Sequence, residues 1–86
     1  MARYHFHIQD GVMSRDESGQ ELRSLDAARL VAVDILTQTL RCDAEQFWRH
    51  NELSIVVTDE RDLILFTVDL TTTPAPAIGG RPRTFS

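Results

Sequence analysis

The stretch Arg3–Gly11, RYHFHIQDG, sets Tyr4, Phe6 and Ile8 in strict alternation with Arg3, His5, His7 and Gln9. A period of two marks a half-buried β-strand, because successive side chains leave a sheet on opposite faces. Asp10-Gly11 supplies a turn pair that ends the strand. The same alternation places His5 and His7 on one polar face. Two imidazoles there either ligate a metal or line the wet side of the sheet.

Working outward, residues 12–23 are polar and acidic, with Gly19 as a second break. Glu21–Arg23 predicts only a short, weak return strand. Ser24 has the character of a helix N-cap, and Asp26 is well placed in the first turn. From Leu25 to Arg41, Leu25, Ala28, Ala32, Ile35, Leu36 and Leu40 gather on one face at 100° per residue. Asp26, Asp34, Thr37, Gln38 and Arg41 gather opposite. Asp43 followed by Gln46 resembles a capping box, which predicts a second helical turn carrying Phe47 and Trp48. Leu53–Thr58 and Leu63–Leu70 are β-rich runs around Asp59-Glu60-Arg61-Asp62, an antiparallel hairpin with a polar turn. The fold class is therefore α+β: a small antiparallel sheet (strand, weak strand, helix, β-hairpin) with one main helix packed on one face. The predicted core is Tyr4, Phe6, Ile8, Leu25, Ala28, Ala32, Leu36, Ile55, Val57, Ile64, Phe66 and Val68.

The 86 residues make one domain, assigned to 1–71, and the Pro- and Gly-containing residues 72–86 read as a mobile tail. No apolar run reaches the roughly 20 residues that span a bilayer. The N-terminus lacks a basic segment followed by an apolar one, so no signal peptide is expected. Cys42 is the single cysteine, which excludes an internal disulfide and a cysteine-based zinc cluster and makes a reducing cytoplasm the default. Residues 1–71 carry seven arginines against thirteen acids, a net −6. That balance disfavours a phosphate-backbone partner.

The chemistry-bearing residues favour plain roles. His5 and His7 are weak candidates for a metal pair, with His50 a conceivable third ligand, but no closing motif accompanies them. Asp10, Asp16, Glu17 and Glu21 give no calcium-loop register and read as loop solvation. Cys42 sits at a helix end, where the dipole does not activate a thiol. Ser14, Ser18 and Ser24 lack an elbow motif, and Gly79-Gly80 lacks the context of a phosphate cradle. Arg29 lies about 40° around the helix from Leu25, beside the apolar face, and is expected to form a structural ion pair with an acid of the 16–21 loop. At least one of Phe47 and Trp48 is expected to seal the helix against the sheet.

With these elements placed, the chain resembles the family catalogued as domain of unknown function 6894. The resemblance rests on RYHFHIQDG, on DESGQEL at Asp16–Leu22 and on LDAAR at Leu25–Arg29, with FW at Phe47–Trp48 and VVTDERDLILF at Val56–Phe66. It runs over residues 2–70 and implies a compact α+β domain, bacterial and cytoplasmic. The family has no established activity, so no catalytic residue is carried over. Members often have a glycine near the final turn, where this chain has Glu60-Arg61-Asp62.

The function expected from all of this is that of a non-enzymatic interaction or regulatory accessory module without a cofactor. Its partner would be itself, as a homodimer, or another protein. Val56, Leu63 and Leu65 point away from the one-sided core and form the expected contact surface, bordered by Arg3, His5 and His7. Leu30 and Val31 are likewise turned from that core. The alternatives are a small metal-binding or hydrolytic protein using His5 and His7, an antitoxin-type regulator, or a monomer whose tail or 12–23 loop covers the patch.

Overall fold

A computed structural model describes residues 1–75 of the chain. In chain order the elements are β1 (Ala2–Gln9), β2 (Met13–Ser14), β3 (Gln20–Leu22), α1 (Leu25–Cys42), α2 (Ala44–His50), β4 (Glu52–Thr58) and β5 (Ile64–Thr71). All strand pairings are antiparallel, in the order β2-β1-β4-β5. One edge of β1 takes β4, with Phe6 opposite Val57 and Ile8 opposite Ile55. Its other edge is shared: β3 pairs with Ala2–Tyr4 and β2 with Ile8–Gln9. The expected return strand thus forms at Gln20–Leu22, one residue earlier than Glu21–Arg23. The two-residue β2 falls where the polar composition predicted loop.

Helix α1 starts as its cap residue dictates. Ser24 is extended, and its Oγ accepts the Ala27 N–H at 3.2 Å. Asp43 caps α2 by accepting the Gln46 N–H at 3.1 Å, and Asn51 ends α2 in the left-handed region. The second half of the expected capping box does not form, because the Gln46 side chain bonds to His50 and Arg49 instead. Ala28 and Ala32 are completely buried against Tyr4, Phe6, Ile55 and Val57. Two small residues at i and i+4 let the helix backbone settle close onto the strands. Ile8, Val31, Leu36, Phe66 and Val68 pack around this cluster partly buried. At the far end α2 covers Leu53 with the buried Phe47, so Phe47 makes the seal while Trp48 faces outward.

Three core expectations need correction. Leu25 is exposed in the first helical turn. Val31, expected to turn away, packs against the core. Ile64, placed inside by strict alternation, is 61% exposed. Its cause is a register irregularity between Val57 and Thr58: Phe66 pairs with Val57, yet Ile64 pairs with Thr58. The extra residue on β5 breaks the period of two and carries Ile64 to the face of Thr58.

In the hairpin turn, Asp59 accepts the Arg61 and Leu63 N–H groups at 2.8 and 3.0 Å. Asp62 adopts φ +68°, so the left-handed position that a glycine would suit is held by an aspartate. Beyond β5, Thr72 bonds to Asn51 through both its N–H and its hydroxyl. Residues 72–75 form no regular element. The rest of the expected mobile tail, 76–86, lies outside the described residues. Among the described residues no helix is long and apolar enough to cross a membrane.

Candidate functional site

The sheet has two unlike faces. Alternation along β1 turns Tyr4 and Phe6 toward α1 and leaves His5 and His7 on the other side, as the sequence predicts. Cross-strand pairing then sets His5 opposite Thr58 and His7 opposite Val56. Between β2 and β3, the segment Arg15–Gly19 forms a strap along the outer edge of β1, and Asp16 is its anchor.

Asp16 engages β1 with both its main chain and its carboxylate. Its carbonyl lies 2.9 Å from His5 Nδ1, and its N–H donates to His7 Nδ1 at 3.0 Å. Oδ2 accepts the Phe6 N–H at 3.1 Å. Oδ1 accepts the N–H groups of Ser18 and Gly19 at 3.2 and 3.0 Å. A carbonyl can only accept, so His5 carries its proton on Nδ1. A main-chain N–H can only donate, so the Nδ1 of His7 is bare and its proton sits on Nε2. That Nε2–H points to Thr58 Oγ1 at 2.9 Å. The two rings lie parallel, 6.2 Å between centroids with 5° between planes, in complementary tautomers fixed by one residue.

His7 is 3% exposed, so it is a buried structural group and not the rim residue expected. His5 is half-buried. Burial pushes the Asp16 carboxyl up, but the N–H groups of Gly19, Phe6 and Ser18, helped by the charge of His5, outweigh it and hold the group below its ordinary value. Gly19 exits the strap at φ +72°, where a Cβ would lie 2.9 Å from Tyr4 O. The Asp-x-x-Gly spacing of 16–19 therefore carries the turn. It was the sequence signal for Asp16 that a reading as loop solvation passed over. Thr58 had no signal of its own.

Beside the clamp is an open cleft of about 190 Å³. The histidines line it together with Arg15, Asp16 and Glu17 of the strap and Asp59, Glu60 and Asp62 of the hairpin turn. Arg15 bridges strap and turn through Asp62 at 2.9 Å.

The remaining candidates scatter. His50 bonds through Nε2 to Gln46 and lies over Gly11, beyond the C-terminal end of β1, so it does not join His5 and His7. Glu21 meets Arg3 at 3.5 Å, and Arg3 also donates to Ser18 O at 2.8 Å. Asp10 lies at the α2 end. Arg29 does not reach the strap: it pairs with Asp26 one turn back at 2.9 Å, in solvent. Cys42 is free and exposed. Three of the four ring nitrogens of His5 and His7 are spent on Asp16 and Thr58. Among the described residues no group of three His, Cys, Asp or Glu side chains is placed to hold a metal.

The residues expected to form a contact surface differ in exposure. Val56 is half-buried, while Leu63 and Leu65 are 63% and 36% exposed, and the bulge adds Ile64 to them. Val56 lies on β4, Leu63 just before β5, and Ile64 and Leu65 at the start of β5, an edge strand whose only partner among the described residues is β4. The only charge on β5, Asp69, accepts the Ser54 hydroxyl at 2.6 Å.

The chain belongs to the family described as Domain of unknown function (DUF6894), whose model matches residues 3–71. No curated protein and no solved structure matches the chain.

Proposed function

We propose that this member of the family is a non-enzymatic protein-interaction module that self-associates as a homodimer through β5 and the apolar residues at its start. One observation carries the reading: β5 is an eight-residue edge strand bonded on one side only among the described residues. Unpaired main-chain groups along such an edge are a template for another strand, and natural edges are usually blunted by lysine, proline or inward charge. β5 has neither lysine nor proline, and the carboxylate of Asp69 is occupied by Ser54. Leu63, Ile64 and Leu65 supply apolar surface beside the edge. An antiparallel β5 pair about a two-fold axis is self-complementary, which favours a second copy over an unrelated strand.

The acidic body supports a protein partner over nucleic acid, and the free Cys42 suits a reducing cytoplasm. Light scattering on wild type, Leu65→Arg and Ile64→Lys tests the reading. A dimer that both substitutions convert to monomer is the expected result. A wild type that stays monomeric at the highest attainable concentration overturns it, and a dimer indifferent to both changes moves the contact elsewhere.

A further inference from the structure

We propose that His7 and Asp16 form a proton-operated latch that holds the strap Arg15–Gly19 against β1, independently of any self-association. The argument is one of donors and acceptors. The latch needs His7 neutral, with Nδ1 free to accept the Asp16 N–H and Nε2–H directed at Thr58. A proton on Nδ1 turns that acceptor into a donor, and two N–H groups then face each other in a site that is 3% exposed. The contact is lost, and the strap must move to give the Asp16 N–H another partner.

His5 behaves differently, although it is two residues away. Its Nδ1–H donates to the Asp16 carbonyl, and a carbonyl accepts that proton whether the ring is neutral or charged. Of the two stacked rings, one is a switch and the other a hinge that holds in both states. The Asp16 carboxylate is held in its ionised form by its own main-chain donors, which keep the carboxyl below its ordinary value.

The charged surroundings of His7 come from three elements. Arg3 and His5 share its strand. Arg15, Asp16 and Glu17 belong to the strap, and Asp59, Glu60 and Asp62 to the hairpin turn. Helix α1 packs on the opposite face. The Arg15–Asp62 pair, exposed at both ends, is the tether that remains when the latch opens.

The test is an NMR titration of the full chain, reading ring-nitrogen shifts for tautomer and charge, and main-chain amide exchange corrected for its intrinsic pH dependence. At neutral pH, His5 is expected as the Nδ1–H form and His7 as the Nε2–H form. On acidification, exchange at Asp16, Ser18 and Gly19 is expected to rise in step with His7 protonation, by up to about tenfold per pH unit for one proton, while α1 amides stay protected. Asp16→Asn keeps the main-chain N–H and carbonyl, and although it loses the carboxylate's bonds it is expected to retain a strap transition that still tracks His7 protonation. The latch is overturned if His7 takes its proton with strap exchange unmoved, or if the strap opens only where carboxyls titrate. Loss of α1 protection together with the strap overturns it equally, since that is global unfolding.

Discussion

His7 and Thr58 share a buried hydrogen bond of 2.9 Å across 51 residues of chain, tying the first strand of the sheet to the end of the fourth. Thr58 lies at the register irregularity of the hairpin, where β-bulges commonly re-aim a side chain. Replacing Thr58 by valine keeps the shape but leaves the Nε2–H of His7 without an acceptor. We expect a loss of ~1–3 kcal/mol. Thr58→Ser, which keeps the hydroxyl, should lose about 1 kcal/mol or less, the value of one methyl group. Urea denaturation of the three proteins, compared at constant m, gives the order.

Gly11 and Gly19, both in the left-handed region, should separate by what they touch. At Gly19 an added Cβ meets the main-chain oxygen of Tyr4 at 2.9 Å, whereas at Gly11, with φ +96°, it meets the His50 ring at 2.6 Å. A backbone oxygen cannot step aside, but an exposed imidazole can. Gly19→Ala should cost ~1–3 kcal/mol whatever surrounds it. The cost of Gly11→Ala should fall in a His50→Ala background, leaving the backbone strain alone. A double-mutant cycle on thermal melts measures the difference, and a coupling of zero would show that the ring already moves freely.

Acid stability should depend on Asp16. Its carboxyl titrates below the unfolded value of ~3.9, so the ionised form favours the folded state. That contribution is complete above the unfolded value and is lost as pH falls through the lower folded one. Asp16→Asn should therefore be less stable than wild type at neutral pH and show a shallower decline below about pH 4. Denaturation midpoints taken between neutral and acid pH test the sign. Parallel curves for the two proteins would remove Asp16 from the acid transition.

Along β5, truncations should follow burial and not alternation. Phe66 is half-buried beside the core, and Phe66→Ala should cost roughly 2–3 kcal/mol, below the ~3–5 of full burial. In the monomer, at concentrations below self-association, Ile64→Ala should stay within about 0.5 kcal/mol, because the bulge has already moved Ile64 into solvent. Ile55, wholly buried at the centre of β4, provides the contrast at ~2–5 kcal/mol. Equal losses at Ile64 and Ile55 would show that the bulge closes in solution.

The elements that local chemistry dictates were legible in the sequence. The alternation of Tyr4, Phe6 and Ile8 gave β1 its faces, Ser24 gave α1 its start, and Asp43 gave α2 its cap. Ile64 was misplaced because a bulge is one extra residue, and the period of two carries no mark of it. Arg29 was assigned a distant partner where an acid one turn earlier sufficed. The histidine face was legible as a face, but its chemistry was not. Whether an imidazole donates or accepts depends on groups that Asp16 and Thr58 bring from 9 and 51 residues away, and pairing of that kind is a property of the folded chain.

The bracketing of the strap by β2 and β3 has a bearing on time. Five residues, Arg15–Gly19, are held at both ends by strand pairing to the same β1. An opened strap therefore searches only a short closed loop before it finds Asp16's partners again. Loops of this size close in about 10–100 ns when free, and pinned ends do not lengthen the search. Any opening is thus brief compared with the chemical step of amide exchange. The segment would report its surroundings without lag and keep no memory of its previous state.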